Sequence, residues 1–269
     1  MNRAIRYLIK LAAAITFGAL FFIIAYILIR GIPHLTPSLF EWKYTSENVS
    51  LLPSIVTTLF MVLLTLLVAT PIGIFTGFYL VEYAQRGNRF VEIIRISTET
   101  LSGIPSIVYG LFGMILFVVR LEFSYSLIAG VFTAAIMVLP LIIRTTEVAL
   151  MSVDDSLREA SYGLGAGKLR TIFKVVLPVA MPGILSGIIL SIGRIVGETA
   201  ALIFTLGTAT RIPTDILSSG RTLAVHMYVL STEGLNVNES YASAVVLLVI
   251  ILLLNGLSTL LSNKLTKGE

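Results

Sequence analysis

The sequence predicts an all-α, polytopic integral membrane protein with about six transmembrane helices. Three observations predict it. Of 269 residues, 56% are hydrophobic and only 13% charged, against about 25% charged in a soluble domain. The apolar residues gather in long charge-free runs, each near the roughly 20 residues that a spanning helix needs. The cationic residues gather in alternate connections between those runs. A chain this apolar cannot cover its own surface with polar groups, so lipid is its solvent. No part of it reads as a soluble catalytic domain. With no cysteine, disulfides, iron–sulfur clusters and cysteine zinc sites are excluded. His34 and His226 stand far apart and are expected on the surface or in packing, not at a metal.

The first run is Leu11–Ile29. Arg3, Arg6 and Lys10 precede it, as in a signal peptide. The run is too long for a typical h-region and lacks a small-x-small cleavage site before Arg30, so it is expected to remain as a helix. Val49–Val81 is longer than one span needs, and Pro71 and Gly73 mark a bend or an exit from the membrane. Leu101–Val119 and Ser124–Ile143 are the third and fourth runs. Val175–Gly193 starts the fifth, expected to continue past Arg194 and Glu198. Ser240–Asn263 is the sixth.

Orientation follows from Lys and Arg. With the N-terminus inside, 13 fall in cytoplasmic segments and 5 outside. Arg86, Arg89, Arg95, Arg144 and Lys267 are among the 13. Both termini are therefore expected in the cytoplasm. The net charge of +4 is explained by these loops, and no nucleic-acid partner is expected.

The connection between runs four and five carries the most information. Asp154 and Asp155 suit a helix start, where carboxylates accept free N–H groups and meet the positive end of the dipole. Leu157, Ala160, Ser161 and Leu164 then share one face. Gly163, Gly165 and Gly167 break that helix, Lys168–Val176 forms a second short one, and Pro178 marks the return to the membrane. Gly163–Lys168 imitates a phosphate-binding loop. It has Tyr162 where Gly is needed, Leu169 where Ser or Thr is needed, and a helix before it instead of a strand. The chain is not expected to bind ATP.

Two charges lie within the fifth run. If that span starts near Met181, Arg194 sits roughly 20 Å along it, at about 1.5 Å per residue. Glu198, four residues on, would share its helix face. Charges at such depth face a bundle interior or water. One reading is an internal ion pair. The other is an anion path lined by Arg194, with Glu198 shaping its field or gating it. Gly73/Gly77, Gly183/Gly187 and Gly193/Gly197 have the spacing that lets helices approach closely. Outside, residues 207–239 include an apolar stretch, Thr222–Leu230. It reads as an interfacial helix or as a contact for an external protein. Asn48 and Asn238 match glycosylation acceptors.

The connection also resembles the signature loop of ABC-importer permeases: Glu-Ala-Ala, three residues, Gly, nine residues, Ile-x-Leu-Pro. Glu159, Ala160, Gly165, Leu177 and Pro178 fall at that spacing, with Ser161 for the second Ala and Val175 for Ile. The stretch Arg194-Ile-Val-Gly197-Glu198-Thr199-Ala200-Ala201-Leu202 is similar to the fifth-span motif of phosphate-importer permeases. So is Leu101-Ser-Gly103-Ile-Pro105-Ser106-Ile-Val-Tyr-Gly110 to their third-span motif. The likeness covers residues 50–262, and the short N-terminal part resembles one of the two permease subunit types more than the other.

The resemblance implies a type I ABC importer permease fold in one transmembrane domain, 1–269. Residues 1–50 would hold the first helix and a short external loop. Residues 51–263 would form the permease core, with a coupling loop at 153–178. It implies no bound cofactor, with ATP hydrolysed on a partner ATPase subunit dimer. It implies a second permease subunit, an external phosphate-binding protein and a prokaryotic cytoplasmic membrane. Arg158, Glu159, Ala160, Gly165, Leu177 and Pro178 would dock the ATPase, with Arg158 and Glu159 flanking the contact. Arg194 and Glu198 would lie on the phosphate path. Sulfate or molybdate as cargo, or an ion-driven carrier with no ATPase, are the alternatives.

Overall fold

The computed structural model describes residues 3–85 and 87–266. Arg86 and Lys267 of the charge tally lie outside the described residues. Every regular element among the described residues is a helix. Its elements are α1 (Arg3–Gly31), α2 (Leu52–Phe78), α3 (Arg89–Ser102), α4 (Ser106–Gly113), α5 (Leu127–Met151), α6 (Asp155–Gly163), α7 (Lys168–Thr171), α8 (Leu177–Val196), α9 (Ala200–Thr205), α10 (Leu223–Glu233) and α11 (Val237–Thr266). Wider π turns extend α2 to Tyr83 and α4 to Arg120, and join α7 to α8. Five helices are long and apolar enough to cross a membrane, or six if α3 and α4 count as one broken span.

Helix α5 is the centre of the bundle, with Ala134, Met137, Val138 and Ile142 fully buried or nearly so. Two of the three glycine pairs explain how its neighbours reach it. A Cβ on Gly73 would meet Ile142 at 2.6 Å, and one on Gly77 would meet Thr146 at 2.5 Å. On α8, a Cβ on Gly183 would meet Ala149 at 2.6 Å, and one on Gly187 would strike Thr145. Both helices thus press bare backbone onto α5, where lipid tails offer no hydrophobic drive and close packing must hold the bundle. The third pair differs. A Cβ on Gly193 would meet nothing, and Gly197 ends a helix.

Four expectations change. The third run is not one straight helix: Gly103 and Pro105 break it, and α3 meets the α4 segment at 105°. The fourth span runs on from Ile143 to Met151, because Arg144 and Glu147 have partners inside the fold. Pro178 does not interrupt the return to the membrane. The π turn Ile172–Val176 precedes it, Leu177 N–H reaching back to Ile172 O, and the helix runs unbroken from Lys168 to Val196. The fifth span then stops at Val196, short of Glu198.

The connection over residues 207–239 is part of the body, with the first turn of α10 buried. The N-terminus of α5 is closed by it: Leu127 N–H donates to Ser218 O at 2.9 Å and Ile128 N–H to Ile216 O at 2.9 Å. Thr222 caps α10, and Leu223, Val225, His226 and Leu230 are fully buried. Arg221 is 4% exposed, with its guanidinium 4.9 Å from the centre of the Tyr44 ring. Asn48 Nδ2 donates to Glu41 Oε2 at 2.7 Å and to Lys43 O at 2.9 Å, so its amide has a structural use.

His226 lies beneath this cap, 3.3 Å from Ser54 Oγ and edge-on to Tyr44. Burial, then the charge of Arg221, holds its pKa down to about 3. The unfolded chain takes up this proton below about 6.5, and the folded chain does not. Stability is therefore lost as pH falls from 6.5 toward 3, by about 2 kcal/mol at pH 5. The melting temperature of the purified protein should drop more between pH 7 and 5 than that of His226→Asn. Equal drops would show that this imidazole does not set the acid sensitivity.

Candidate functional site

Helices α3, α5 and α8 enclose a cavity of about 600 Å3 at the inner side of the break after Ser102. Arg95, Thr98, Glu99 and Ser102 line it from α3, Arg144 and Glu147 from α5, and Arg194 from α8. The α3 residues follow i, i+3, i+4, i+7, a polar stripe on one helix face. The depth of Arg194 follows from packing. Gly183 faces Ala149 and Gly187 faces Thr145, so each step up α8 is a step back on α5. Arg194 then falls level with Val138, near the middle of Leu127–Met151.

Glu147 is 3% exposed. Its Oε1 lies 2.8 Å from Arg95 Nε and its Oε2 lies 3.0 Å from Arg144 Nη1. The cavity wall therefore holds three arginines and two glutamates, an excess of one positive charge. Within a bundle, where screening is weak, that excess favours a small anion. Tyr109 is buried on α4, and its hydroxyl donates across the break to Leu101 O at 2.6 Å.

Glu198 stands elsewhere. Gly197 ends α8, and Glu198 Oε1 accepts from Ala201 N–H at 3.0 Å at the start of α9. Arg194 and Glu198 share no helix face, and no ion pair joins them among the described residues. Glu198 is 8% exposed and fixes a helix start. The signal was legible: a glycine followed by Glu and Thr is a stop and a new start. The charge pattern alone places Arg95 and Arg144 in loops and gives Glu147 no part. The Arg144/Glu147 spacing and the α3 stripe could have found them.

Just beyond the C-terminal end of α5, Asp154 Oδ1 caps α6 by accepting from Ser156 N–H at 2.8 Å. That bond holds the Asp154 carboxyl below its usual range. Gly165 turns the chain with φ +80°, and Ser161 and Thr171 hydroxyls meet at 2.8 Å across the turn. Glu159, Ala160, Tyr162 and Leu164 are exposed, Leu164 at 90%. Leu169 and Phe173 add exposed apolar surface.

Arg158 does not join that face. Its guanidinium turns inward to Glu82 Oε1 at 2.9 Å, Leu150 O at 2.9 Å and Val153 O at 2.8 Å. Leu177 and Pro178 are half-buried in the first turn of α8, against the cluster around Val176 and Ala180. The structure thus brings Glu159, Ala160 and Gly165 together at one tip. Leu177 and Pro178 support it from behind, and Arg158 ties it to α2 and α5. Gly165→Val forces a β-branched residue into the left-handed region, at about 1–3 kcal/mol. On the docking role that the resemblance implies for this tip, the substitution should detach a partner ATPase in co-purification from native membranes, and retained ATPase would count against that role.

A helix bundle with a broken span around a charged cavity has the architecture of a membrane transport component. Residues 69–267 match the family described as "Binding-protein-dependent transport system inner membrane component", and the chain belongs to that family. It is a multi-pass membrane protein. It is 33% identical over 243 residues to the "Probable ABC transporter permease protein YqgI" of Bacillus subtilis (strain 168), covering 84% of this chain and 81% of that one. It is 38% identical over 205 residues to the "Phosphate transport system permease protein PstA" of Pasteurella multocida (strain Pm70), covering 73% and 72%. The fold is similar to a chain in the crystal structure of a bacterial alginate ABC transporter, with TM-score 0.66, 16% identity and 98% of each chain covered.

Proposed function

We propose that this chain is a permease subunit of an ATP-driven importer that moves inorganic phosphate across the cytoplasmic membrane by alternating access. The observation that carries it is the cavity with Arg95, Arg144 and Arg194 on its wall, Arg194 at mid-span. Guanidinium forks match the planar edge of an oxyanion, and few other cargoes need three of them. Similarity to the PstA protein of Pasteurella multocida supports phosphate over other oxyanions.

In this reading the whole chain acts as one transmembrane domain with both termini cytoplasmic, following the excess of Lys and Arg in the inner segments. A second permease subunit completes the path. An external phosphate-binding protein delivers cargo and supplies most selectivity. Two ATPase subunits bind the ATP and drive the pair through the tip at Glu159, Ala160 and Gly165. Glu198 holds the start of α9 above the cavity.

Labelled-phosphate uptake in cells with and without this chain, with excess sulfate or molybdate, tests the cargo. Uptake that needs the chain and resists both competitors supports phosphate. Uptake blocked by sulfate or molybdate moves the cargo to that oxyanion.

A further inference from the structure

We propose that Arg95, Arg144 and Glu147 form a release station for the oxyanion on the cytoplasmic side of Arg194, in which the Glu147 carboxylate stands in for the cargo. The inference rests on the phosphate reading above. Glu147 gives one oxygen to each arginine, Oε1 to Arg95 at 2.8 Å and Oε2 to Arg144 at 3.0 Å. Two oxygens of a phosphate would meet the same two guanidinium groups in the same way. The carboxylate is buried, while the arginine side chains are 48% and 66% exposed. The cations therefore remain open to a solute, and the anion that neutralises them is fixed in the wall.

The position suits an exit. Arg95 and Glu147 border the Arg194 cavity. Arg95 also borders a groove of about 590 Å3 that reaches Gly87 and Asn88. Arg95, Arg144 and Glu147 together border a third hollow beside Met151 and Ser152, just before α6. An anion leaving Arg194 toward the cytoplasm passes this triad. Two unpaired arginines there would hold it too well, and a path conducts only where each site is weak enough to leave. Glu147 supplies the weakening. It gives up the arginines as cargo arrives and reclaims them as cargo departs. The exchange also breaks and remakes an ion pair between α3 and α5, so occupancy loosens the inner wall when the anion must pass.

The test uses the complete importer in proteoliposomes, with ATP and binding protein supplied. Wild-type uptake of phosphate against sulfate and molybdate is read first and scores the cargo alone. Whichever oxyanion is carried is then loaded inside, on the cytoplasmic side, at rising concentration. Glu147→Gln keeps the size of the side chain and removes the competitor. Inhibition by internal anion should set in at a concentration at least tenfold lower than in wild type. Arg144→Gln changes a largely exposed side chain, and should weaken that inhibition at least fivefold. Unchanged inhibition in Arg144→Gln overturns the station, whether or not Glu147→Gln assembles. Unchanged inhibition in an assembled Glu147→Gln overturns it as well, leaving a structural triad.

Discussion

Arg194→Ala lowers phosphate uptake by about 10- to 150-fold while the complex still assembles. The magnitude is the loss of one hydrogen bond to a charged group, about 1.5–3 kcal/mol, from the slowest step of transit. Assembly survives because no ion pair depends on Arg194 among the described residues. Removing it leaves no buried carboxylate stranded, since Glu198 is already engaged with the Ala201 N–H. Arg194→Lys keeps the charge without the fork and should recover only part of the rate. Co-purification with the ATPase and labelled uptake are measured on the same membranes. Loss of the complex in Arg194→Ala would instead make the residue a structural one.

Arg158→Ala uncouples ATP hydrolysis from uptake. Arg158 is the strut between the tip and the body: one guanidinium meets Glu82 on the π turn of α2, two carbonyls at the end of α5, and Asp155 on its own helix at 3.1 Å. The Glu82 side chain is 6% exposed. Removing its partner leaves a buried charge, at about 3–5 kcal/mol. The cost falls where α6 joins α2 and α5, so the tip loses its fixed relation to the bundle. Phosphate moved per ATP hydrolysed should fall several-fold in proteoliposomes while hydrolysis continues. Glu82→Gln should shift the ratio in the same direction by less. A ratio equal to wild type in Arg158→Ala would remove Arg158 from the coupling route.

Glu82 and Arg158 are 76 residues apart, and nothing local announces their meeting. The sequence places Arg158 at the flank of a docking contact because it stands beside Glu159 on the helix that Asp154 and Asp155 start. The same holds for the cavity. Hydropathy follows charge-free runs and stops at the first charge. It ended the fourth span at Ile143 and sent Arg144 to a loop, although α5 continues eight residues further. Once α3, α5 and α8 converge, Arg95 and Arg144 neutralise Glu147, and charges that would be too costly in lipid become tolerable inside the bundle.

The sequence by itself determined the class of protein, the number and order of its spans to within one, the α6 tip, and Arg194 at depth. These are local properties: apolar run length, capping residues, glycine turns and a single charge out of place. Only the tertiary structure decided which charges share a cavity, that Glu198 caps α9 instead of pairing with Arg194, and that Arg158 faces inward. It also decided that Gly73/Gly77 and Gly183/Gly187 both press on α5 while Gly193/Gly197 does not. The physical reason is one of range. Burial in lipid is set residue by residue along the chain, whereas a cavity and its charge balance exist only where distant helices meet.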